Sequence, residues 1–511
     1  MCFEASGQVR CPSGHQGGAV VITIGIDAGT SVVKAVAYAD DGAELAVVRR
    51  PTRVVHPEPG WAEQDMDEVW EAVATTVAEL VSSVGQDVRA VAVTAQGDGC
   101  WLVDADGRPV GPAMLWNDAR AAGTAARWAR SGILDELFEI NGSVGFAGLP
   151  HAQLTWLAEH APERLASASK VLTCGGWLYR CLTDRLAQDV SEASNPFLDA
   201  RSGEYSDAVL SKLGLDWARE LLPEVVDGEQ RVAPLTEASG RRLGVPAGTP
   251  VVLAAYDVIS TAIGAGTTKP GQACTILGTT VCTEVLSDSP RLERSPVGMS
   301  LRTPMPQRWM LAYATLAGTE VVEWTCRMLG LPNPENLTAL AENAEPGSRG
   351  LLMLPYLSPG GERAPFYDPR ARGSLHGLSL EHGPAEIARA CLEGLALVIR
   401  ECLEASTATP TELRLTGGGS ANPLWRQVIA DATGLPVVRT SDAQAGARGA
   451  TVTAHAVLEG RTIPDVAADL VGTAAPMDPL PANRPRYDDA YARFLAARNA
   501  AQTAHWFRPA D

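Results

Sequence analysis

The feature that most constrains this chain is a unit that occurs twice: a β-branched strand, a tight turn of small residues and a second strand. The first copy is "VITIGIDAGTSVVKAVAYADDG", with strands expected over 20–26 and 32–38 on either side of Asp-Ala-Gly-Thr-Ser. "ADDG" then turns the chain into a third strand at 44–48. Apolar residues recur at helical spacing over 65–81, with Asp65 or Asp67 as N-cap, and 88–94 returns as a strand. The second copy, "ACTILGTTVCTEVL" at 273–286, is followed by a strand at 308–314 and a helix at 320–329. A long amphipathic helix spans 384–404, and a short strand at 413–415 enters "TGGGS". So long a period excludes a solenoid and indicates two related α/β domains, each opening with a hairpin that presents a small-residue turn. The division falls between 248 and 271, which gives units at 21–262 and 263–475, a disordered extension at 1–20 and a peripheral tail at 476–511.

Bulk composition narrows the partners. A chain of 511 residues exceeds what one hydrophobic core supports, so at least two domains are expected. The formal net charge of -18 argues against nucleic acid and anionic membrane surfaces as partners. It leaves room for an anionic small molecule, because backbone N–H groups and a metal bind anions whatever the overall charge. No apolar run is long enough to span a bilayer, and residues 1–20 hold no apolar signal core. Ten cysteines without a Cys-x-x-Cys pair suit buried free thiols in a reducing cytoplasm. None of the eight histidines has metal-ligand spacing, so no zinc site is expected.

Three short segments carry chemistry. The turns "DAGTS" and "GTT" crowd backbone N–H groups and hydroxyls together, and Gly29 and Gly278 let an anion approach without a Cβ in the way. Neither is a Walker loop, since no helix follows the turn. Taken singly each is an ordinary Gly-Thr turn; their equivalent places in a repeat favour phosphate binding. The glycines of "LRLTGGGSANPLW" lie between a strand and a helix starting near Pro423, where a flat base or a ribose can approach closely. A flexible loop is the plainer alternative for that stretch.

The ordered set "GIDAGTSVVKA", "TAQGDGCWLVDADGRPV", "AMLWNDARA", "YDVISTAIGAG", "ILGTT", "PYLSPGGERAPFYDPRARG" and "LTGGGSANPLWRQVIADATGLPV" resembles the FGGY family of carbohydrate kinases, from about 21 to about 460. The resemblance implies an α/β fold of two actin-like ATPase (ribonuclease H-like) domains, with ATP and a sugar or polyol meeting in the interdomain cleft. It implies transfer of the ATP γ-phosphoryl group to a substrate hydroxyl with Mg²⁺. Asp27 matches the carboxylate that helps hold Mg²⁺, a hard ion suited to carboxylate and water oxygens. Gly29, Thr30, Ser31 and Lys34 match positions that approach the phosphates, with Lys34 as a point charge. Gly278, Thr279 and Thr280 match the second phosphate hairpin, and Gly417, Gly418, Gly419 and Asn422 the adenosine pocket. Asp257 in "AAYDVISTA" matches the catalytic base, which orients the acceptor hydroxyl and takes its proton. Without the resemblance, Asp27 reads as a turn residue, Lys34 as a solvated strand lysine and Asp257 as a helix N-cap.

Substrate binding is expected in the first domain. Gln96 and Asp98 in "AQGDG" stand where the family's glycerol kinases carry Gln-Arg-Glu and its xylulose kinases Gln-Met-His, with Gly97 replacing the bulky middle residue. A buried carboxylate that accepts two hydroxyls rejects analogues lacking them; a turn-capping Asp is the alternative. Trp116 and Asp118 in "LWNDAR" match another substrate-facing segment, with Trp116 either packed on the carbon face of a polyol or plain core. "QGDGCW" with Tyr256-Asp257 most resembles the erythritol kinases of the family, which implies a short linear polyol phosphorylated on a terminal carbon; xylulose, ribulose and glycerol kinases are the alternatives. Two departures from the family pattern are "PHAQLTWL" at 150–157, where relatives often carry a lysine, and Arg448, where many carry leucine. Glu362 and Arg363 read as a structural ion pair near the domain junction. A second copy of the chain enters as a candidate partner. A sugar sensor on a kinase fold would require a broken phosphate loop or carboxylate, and neither is broken. An actin- or chaperone-like ATPase leaves "QGDG", "LWNDAR" and "GGERAP" unexplained.

Overall fold

The computed structural model describes residues 8–9, 21–85, 87–293, 296–440, 443–504 and 506. The expected disordered extension therefore lies outside the described residues, apart from a two-residue strand, β1 (Gln8–Val9).

Both halves are built on the same plan. In the first, β2 (Val21–Ala28), β3 (Val32–Ala39) and β4 (Glu44–Pro51) form an antiparallel meander, and β5 (Asp87–Ala95) joins β2 in parallel. With β6 (Val232–Pro234) and β7 (Pro250–Leu253), the sheet order is β1-β4-β3-β2-β5-β7-β6. In the second, β8 (Gln272–Leu277), β9 (Val281–Ser287), β10 (Met299–Arg302) and β11 (Trp309–Ala314) are antiparallel, and β12 (Glu412–Thr416) and β13 (Val437–Arg439) extend β8 in parallel, in the order β10-β11-β9-β8-β12-β13. Each opening hairpin therefore lies at the centre of its sheet, with its turn beyond the strand ends. Their apolar runs fit this place: Ile22, Ile24, Ile26, Val33 and Ala35 are fully buried.

Helices cover the faces. α1 (Met66–Val84) starts at Asp65, whose side chain accepts the Glu68 N–H, and buries Val69, Val73, Val77 and Leu80 against the first sheet. α2 (Asp257–Gly264) ends the first half, α3 (Thr319–Leu329) follows β11, and α4 (Pro384–Ala405) runs through the second core. α5 (Pro423–Thr433) follows the glycine-rich loop, and α6 (Ala445–Glu459) comes next. The stretch expected to be a peripheral tail forms α7 (Arg484–Thr503), whose Tyr487 and Phe494 are fully buried in that same second core.

α2 and α6 are exchanged between the halves. α2 buries Ile259, Ala262 and Ile263 beside Cys274, Leu286 and Ala312 of the second sheet. α6 lays Ala447, Ala450 and Ala454 on the first sheet, where Gly25 leaves room: a Cβ there would meet the Ala447 carbonyl at 2.5 Å. The two helices cross in direct backbone contact. A Cβ on Gly264 would lie 1.9 Å from the Ala445 oxygen, and one on Gly449 1.7 Å from the Ser260 oxygen, so only glycine fits at either place.

The eight described cysteines are all buried and unpaired, as expected; Cys2 and Cys11 lie outside the described residues. No described helix is long and apolar enough to cross a membrane.

Candidate active site

Asp27 ends β2 and faces Lys34 across the first hairpin; Lys34 Nζ donates to Asp27 Oδ2 at 3.3 Å. The first turn of α6 closes on the same carboxylate, because a Cβ on Gly446 would lie 2.8 Å from Asp27 Oδ2. At the turn, Gly29 N–H bonds the Val32 carbonyl at 3.1 Å and Ser31 is exposed. The Thr30 side chain is bonded within the first domain. Its hydroxyl donates to Gln96 Oε1 at 2.6 Å and accepts from Trp116 Nε1 at 3.0 Å. Gln96 Nε2 continues to Gln64 Oε1 at 2.7 Å, and Gln64 Nε2 returns to the Thr30 carbonyl at 2.9 Å. This closed ring of bonds ties the phosphate turn to the "QGDG" and "LWND" segments, and it makes the half-buried Trp116 part of a polar wall rather than plain core.

In the second half, Gly278 N–H bonds the Thr280 carbonyl at 3.2 Å, Thr319 N–H at the start of α3 bonds the Gly278 carbonyl at 2.9 Å, and Thr279 is exposed. The three glycines of the loop differ in what they permit. Gly417 has φ +84° and packs on Leu277, and a Cβ on Gly419 would lie 2.6 Å from the Trp425 ring. At Gly418 a Cβ would meet nothing within 4 Å, so the protein itself does not require glycine there. Asn422 is the N-cap of α5: Oδ1 accepts the Trp425 N–H at 3.1 Å, and Nδ2 donates to Thr338 Oγ1 at 2.6 Å. Both ends of its side chain are engaged in shaping the loop.

Between the hairpins lies a cluster of carboxylates. Asp257 is the first residue of α2, and burial together with the negative Asp27 raises its pKa to about 8. Asp98, buried and in the left-handed region with φ 57°, accepts Asn195 Nδ2 at 2.8 Å on Oδ1 and the Tyr256 hydroxyl at 3.1 Å on Oδ2. Burial lifts its pKa to about 6, against the opposing pull of Arg363. Glu192 is buried beside Asp98 and Asp257, and burial raises its pKa well above the usual range. Among the described residues no three acidic, histidine or cysteine side chains stand close enough together to hold a metal ion, so a single carboxylate such as Asp27 would suit only a hard cation that keeps most of its waters.

Tyr256 explains why residue 97 is glycine. A Cβ at Gly97 would lie 2.1 Å from Tyr256 Cε2, so the tyrosine ring occupies the volume that a side chain there would take. Tyr256 and "QGDG" form one packed unit, which sequence reading joined only by resemblance. Glu192 and Asn195, in "SEASN", went unnoticed; no motif singled them out, and only the fold brings them against Asp98.

Two expectations are corrected. Asp118, expected at the substrate, already has both carboxylate oxygens engaged by protein groups. It is fully buried, Oδ1 accepts Arg120 N–H and Nε at 2.9 Å, and Oδ2 accepts Arg120 Nη2 and the Ala62 N–H at 2.7 Å. Arg120 also reaches Glu63 at 2.7 Å and stacks on Trp61 at 3.8 Å. The group braces the "LWND" strand end. Glu362 and Arg363 do not form an ion pair either. Glu362 Oε1 accepts the N–H groups of Leu316 and Arg363, both at 2.9 Å, whereas Arg363 turns away and donates Nε to the Ala314 carbonyl at 2.9 Å. The two departures from the family pattern are structural. His151 stacks on Trp128 at 5.0 Å, and burial lowers its pKa to about 3; Gln153 donates to the Leu115 carbonyl at 2.8 Å. Arg448 stacks on Tyr38 at 4.0 Å and bonds the Gly42 carbonyl.

Comparison with known proteins points to one family. Residues 22–264 match the model of the N-terminal domain of the FGGY family of carbohydrate kinases, and 273–457 match that of the C-terminal domain. The chain is 35% identical to erythritol kinase of Brucella abortus (strain 2308) over 85% of this chain and 86% of that one. It is 32% identical to xylulose kinase of Escherichia coli (strain K12), covering 80% and 84% respectively. The crystal structure of ligand-bound xylulose kinase from Lactobacillus acidophilus superposes with a TM-score of 0.89 at 23% identity, over 94% of this chain and 99% of that one.

Proposed function

The chain belongs to the FGGY family of carbohydrate kinases and so transfers phosphate to a sugar or polyol hydroxyl, and on that premise we propose that its acceptor is erythritol, phosphorylated on a terminal carbon. The single observation that carries the choice is the Gly97–Tyr256–Asp98 unit: the Tyr256 ring fills the space over Gly97, and its hydroxyl holds Asp98, the carboxylate we place beside the acceptor. That favours a short acceptor whose hydroxyls donate to Asp98. Asn195 holds the other Asp98 oxygen, and Trp116, oriented through Thr30, supplies a flat face for the carbon chain.

In this reading ATP lies against the "DAGTS" and "GTT" turns, with adenosine on the glycine-rich loop at Gly417 and Gly418. Asp27 would hold Mg²⁺, through water where needed, and the ion would neutralise phosphate charge. Asp257 accepts a hydrogen bond from the acceptor hydroxyl and takes its proton as the new oxygen–phosphorus bond forms. The bond from the γ-phosphorus to the β–γ bridging oxygen breaks, and ADP leaves. Lys34, beside Asp27, offsets charge on the phosphates. Positioning and charge neutralisation account for most of the rate in such a loose transition state. Contacts between the domains, such as Arg302 N–H to Ser194 Oγ at 3.0 Å, close the acceptor end against water.

A pentulose acceptor is the second reading, favoured by the 32% identical xylulose kinase. The test is ADP release with Mg-ATP against erythritol, threitol, glycerol, xylitol, and the D- and L- forms of xylulose and ribulose, with Asp257→Asn in parallel. Erythritol is expected to give the highest kcat/KM. The variant is expected to lose about 10²–10⁴ in kcat while still binding ATP. A pentulose preference overturns the erythritol assignment, and a fully active variant overturns the role of Asp257.

A further inference from the structure

We propose that Arg363, supplied by the second domain, is a specificity-determining residue that binds the acceptor at the end remote from Asp257. The inference rests on the kinase reading above and adds a contact across the domains.

The loop "GGERAP" is built to aim this one side chain. Gly361, at φ +83°, packs on Asp368 and Pro369, where a Cβ would meet the Asp368 carbonyl at 2.3 Å. Glu362 turns inward to receive the backbone N–H groups of Leu316, Arg363 and Ala364, which fixes the peptide on both sides of Arg363. The guanidinium is then anchored at one nitrogen only, Nε to the Ala314 carbonyl. Among the described residues, its two Nη groups have no hydrogen-bond partner, although the head group lies between two aromatic rings of the other domain. The Cζ atom is 5.2 Å from the Phe146 ring centre and 5.7 Å from that of Trp116. Arg363 is half-buried, and its two Nη groups are not among the buried donors that lack a partner, so water or a ligand oxygen can reach them.

The charges around the site fall in a sequence. Asp27 and Lys34 act on Asp257, Asp98 acts on Asp257, and Arg363 acts on Asp98. An acceptor with its reactive hydroxyl at Asp257 and its middle at Asp98 therefore extends toward Arg363. The planar fork of donors suits the oxygens of a vicinal diol, and Trp116 forms the floor that both share. The contact reaches from the second domain to an acceptor held by the first, so occupancy and the juxtaposition of the domains reinforce each other.

The test compares the parent with Arg363→Ala and Arg363→Lys on erythritol and on the best acceptor of the panel, with ATP saturating and then varied. Arg363→Ala is expected to lower kcat/KM for the acceptor at least tenfold, chiefly through KM, with the KM for ATP within twofold of the parent. Millimolar guanidinium is expected to restore part of the loss in Arg363→Ala, which a merely structural role would not allow, and Arg363→Lys to recover less than half of it. The loss is expected to be smaller on an acceptor one carbon shorter, which cannot reach the fork. An active parent with an Arg363→Ala variant within threefold of it on every acceptor overturns this inference alone. Equal rises in both KM values, with a lowered melting temperature and no guanidinium rescue, also overturn it. A parent silent on the whole panel overturns the kinase acceptor reading, and this inference with it.

Discussion

Gly97→Ala is the sharpest probe of the acceptor wall. Gly97 is not held at positive φ, so alanine adds no backbone strain, and the effect comes from one methyl group against one ring. That methyl would lie 2.1 Å from Cε2, 2.4 Å from Cζ and 2.6 Å from Cδ2 of Tyr256. The ring is buried and its hydroxyl is bonded to Asp98, so it relieves the overlap only by moving off the carboxylate. Overpacking of this kind costs about 1–3 kcal/mol of stability. Loss of a hydrogen bond to a charged group adds about 1.5–3 kcal/mol where Asp98 meets the acceptor. At about 1.4 kcal/mol per tenfold, kcat/KM for the acceptor should fall about 10- to 150-fold, with the KM for ATP unchanged. The assay is a double-mutant cycle of Gly97→Ala with Tyr256→Ala, read by urea unfolding and by coupled ADP release. Removing the ring leaves room for the methyl, so the two changes should couple by about 1–3 kcal/mol in stability, where independent sites add within about 0.5 kcal/mol. Tyr256→Phe keeps the ring, so Gly97→Ala should cost nearly as much in that background as in the parent. An additive cycle, or a Gly97→Ala enzyme with the parent's stability and kinetics, refutes the reasoning.

Further expectations concern the two acids whose roles were corrected. Burial raises the Glu362 pKa from 4.5 to about 7, so the folded chain keeps this proton to higher pH than the unfolded one. The resulting destabilisation is absent below about pH 4.5, grows from there to pH 7 and is complete above it, on the order of 3 kcal/mol in full. Glu362→Gln should therefore gain stability relative to the parent as pH rises from 5 to 8, and a difference in unfolding free energy that stays constant with pH refutes this. Asp118→Ala leaves Arg120 and the Ala62 N–H short of partners and should cost about 3–5 kcal/mol. A variant with the parent's melting temperature but a raised acceptor KM would show that Asp118 faces the substrate after all.

Legibility in the sequence followed the range of the interactions. The hairpins, the N-cap Asp65, the glycine-rich loop and α5 depend on neighbours within a few residues, so periodicity and turn chemistry revealed them. Asp257 and Asp27 required the resemblance, because an aspartate at a strand end looks the same whether it caps a helix or serves as a base. What stayed hidden was convergence over long separations. Asn195 meets Asp98, Tyr256 fills the space over Gly97, and Arg363 crosses from the other domain, none of which has a local signature. Asp118, Asn422 and Glu362 show the converse. Their side chains are each held by a partner close by in sequence, Arg120, Trp425 and Arg363, as well as by a distant one, Ala62, Thr338 and Leu316, and such partners turn a residue that could bind a ligand into a brace.

The crossing of α2 and α6 has a mechanical consequence. Ser260, at the contact, lies one turn from Asp257, and the other helix begins against Asp27, so both carboxylates hang from the place where the two halves of the molecule touch backbone to backbone. In a pair of shears the blades travel farthest from the rivet and hardly at all beside it. Any rocking of one half against the other would leave the spacing of these two acids nearly untouched, while the glycine-rich loop and the outer strands sweep through the larger arc. On the proposed reading, nucleotide entry and acceptor capture could then use large displacements while the base Asp257 and the Mg²⁺-holding Asp27 keep their spacing.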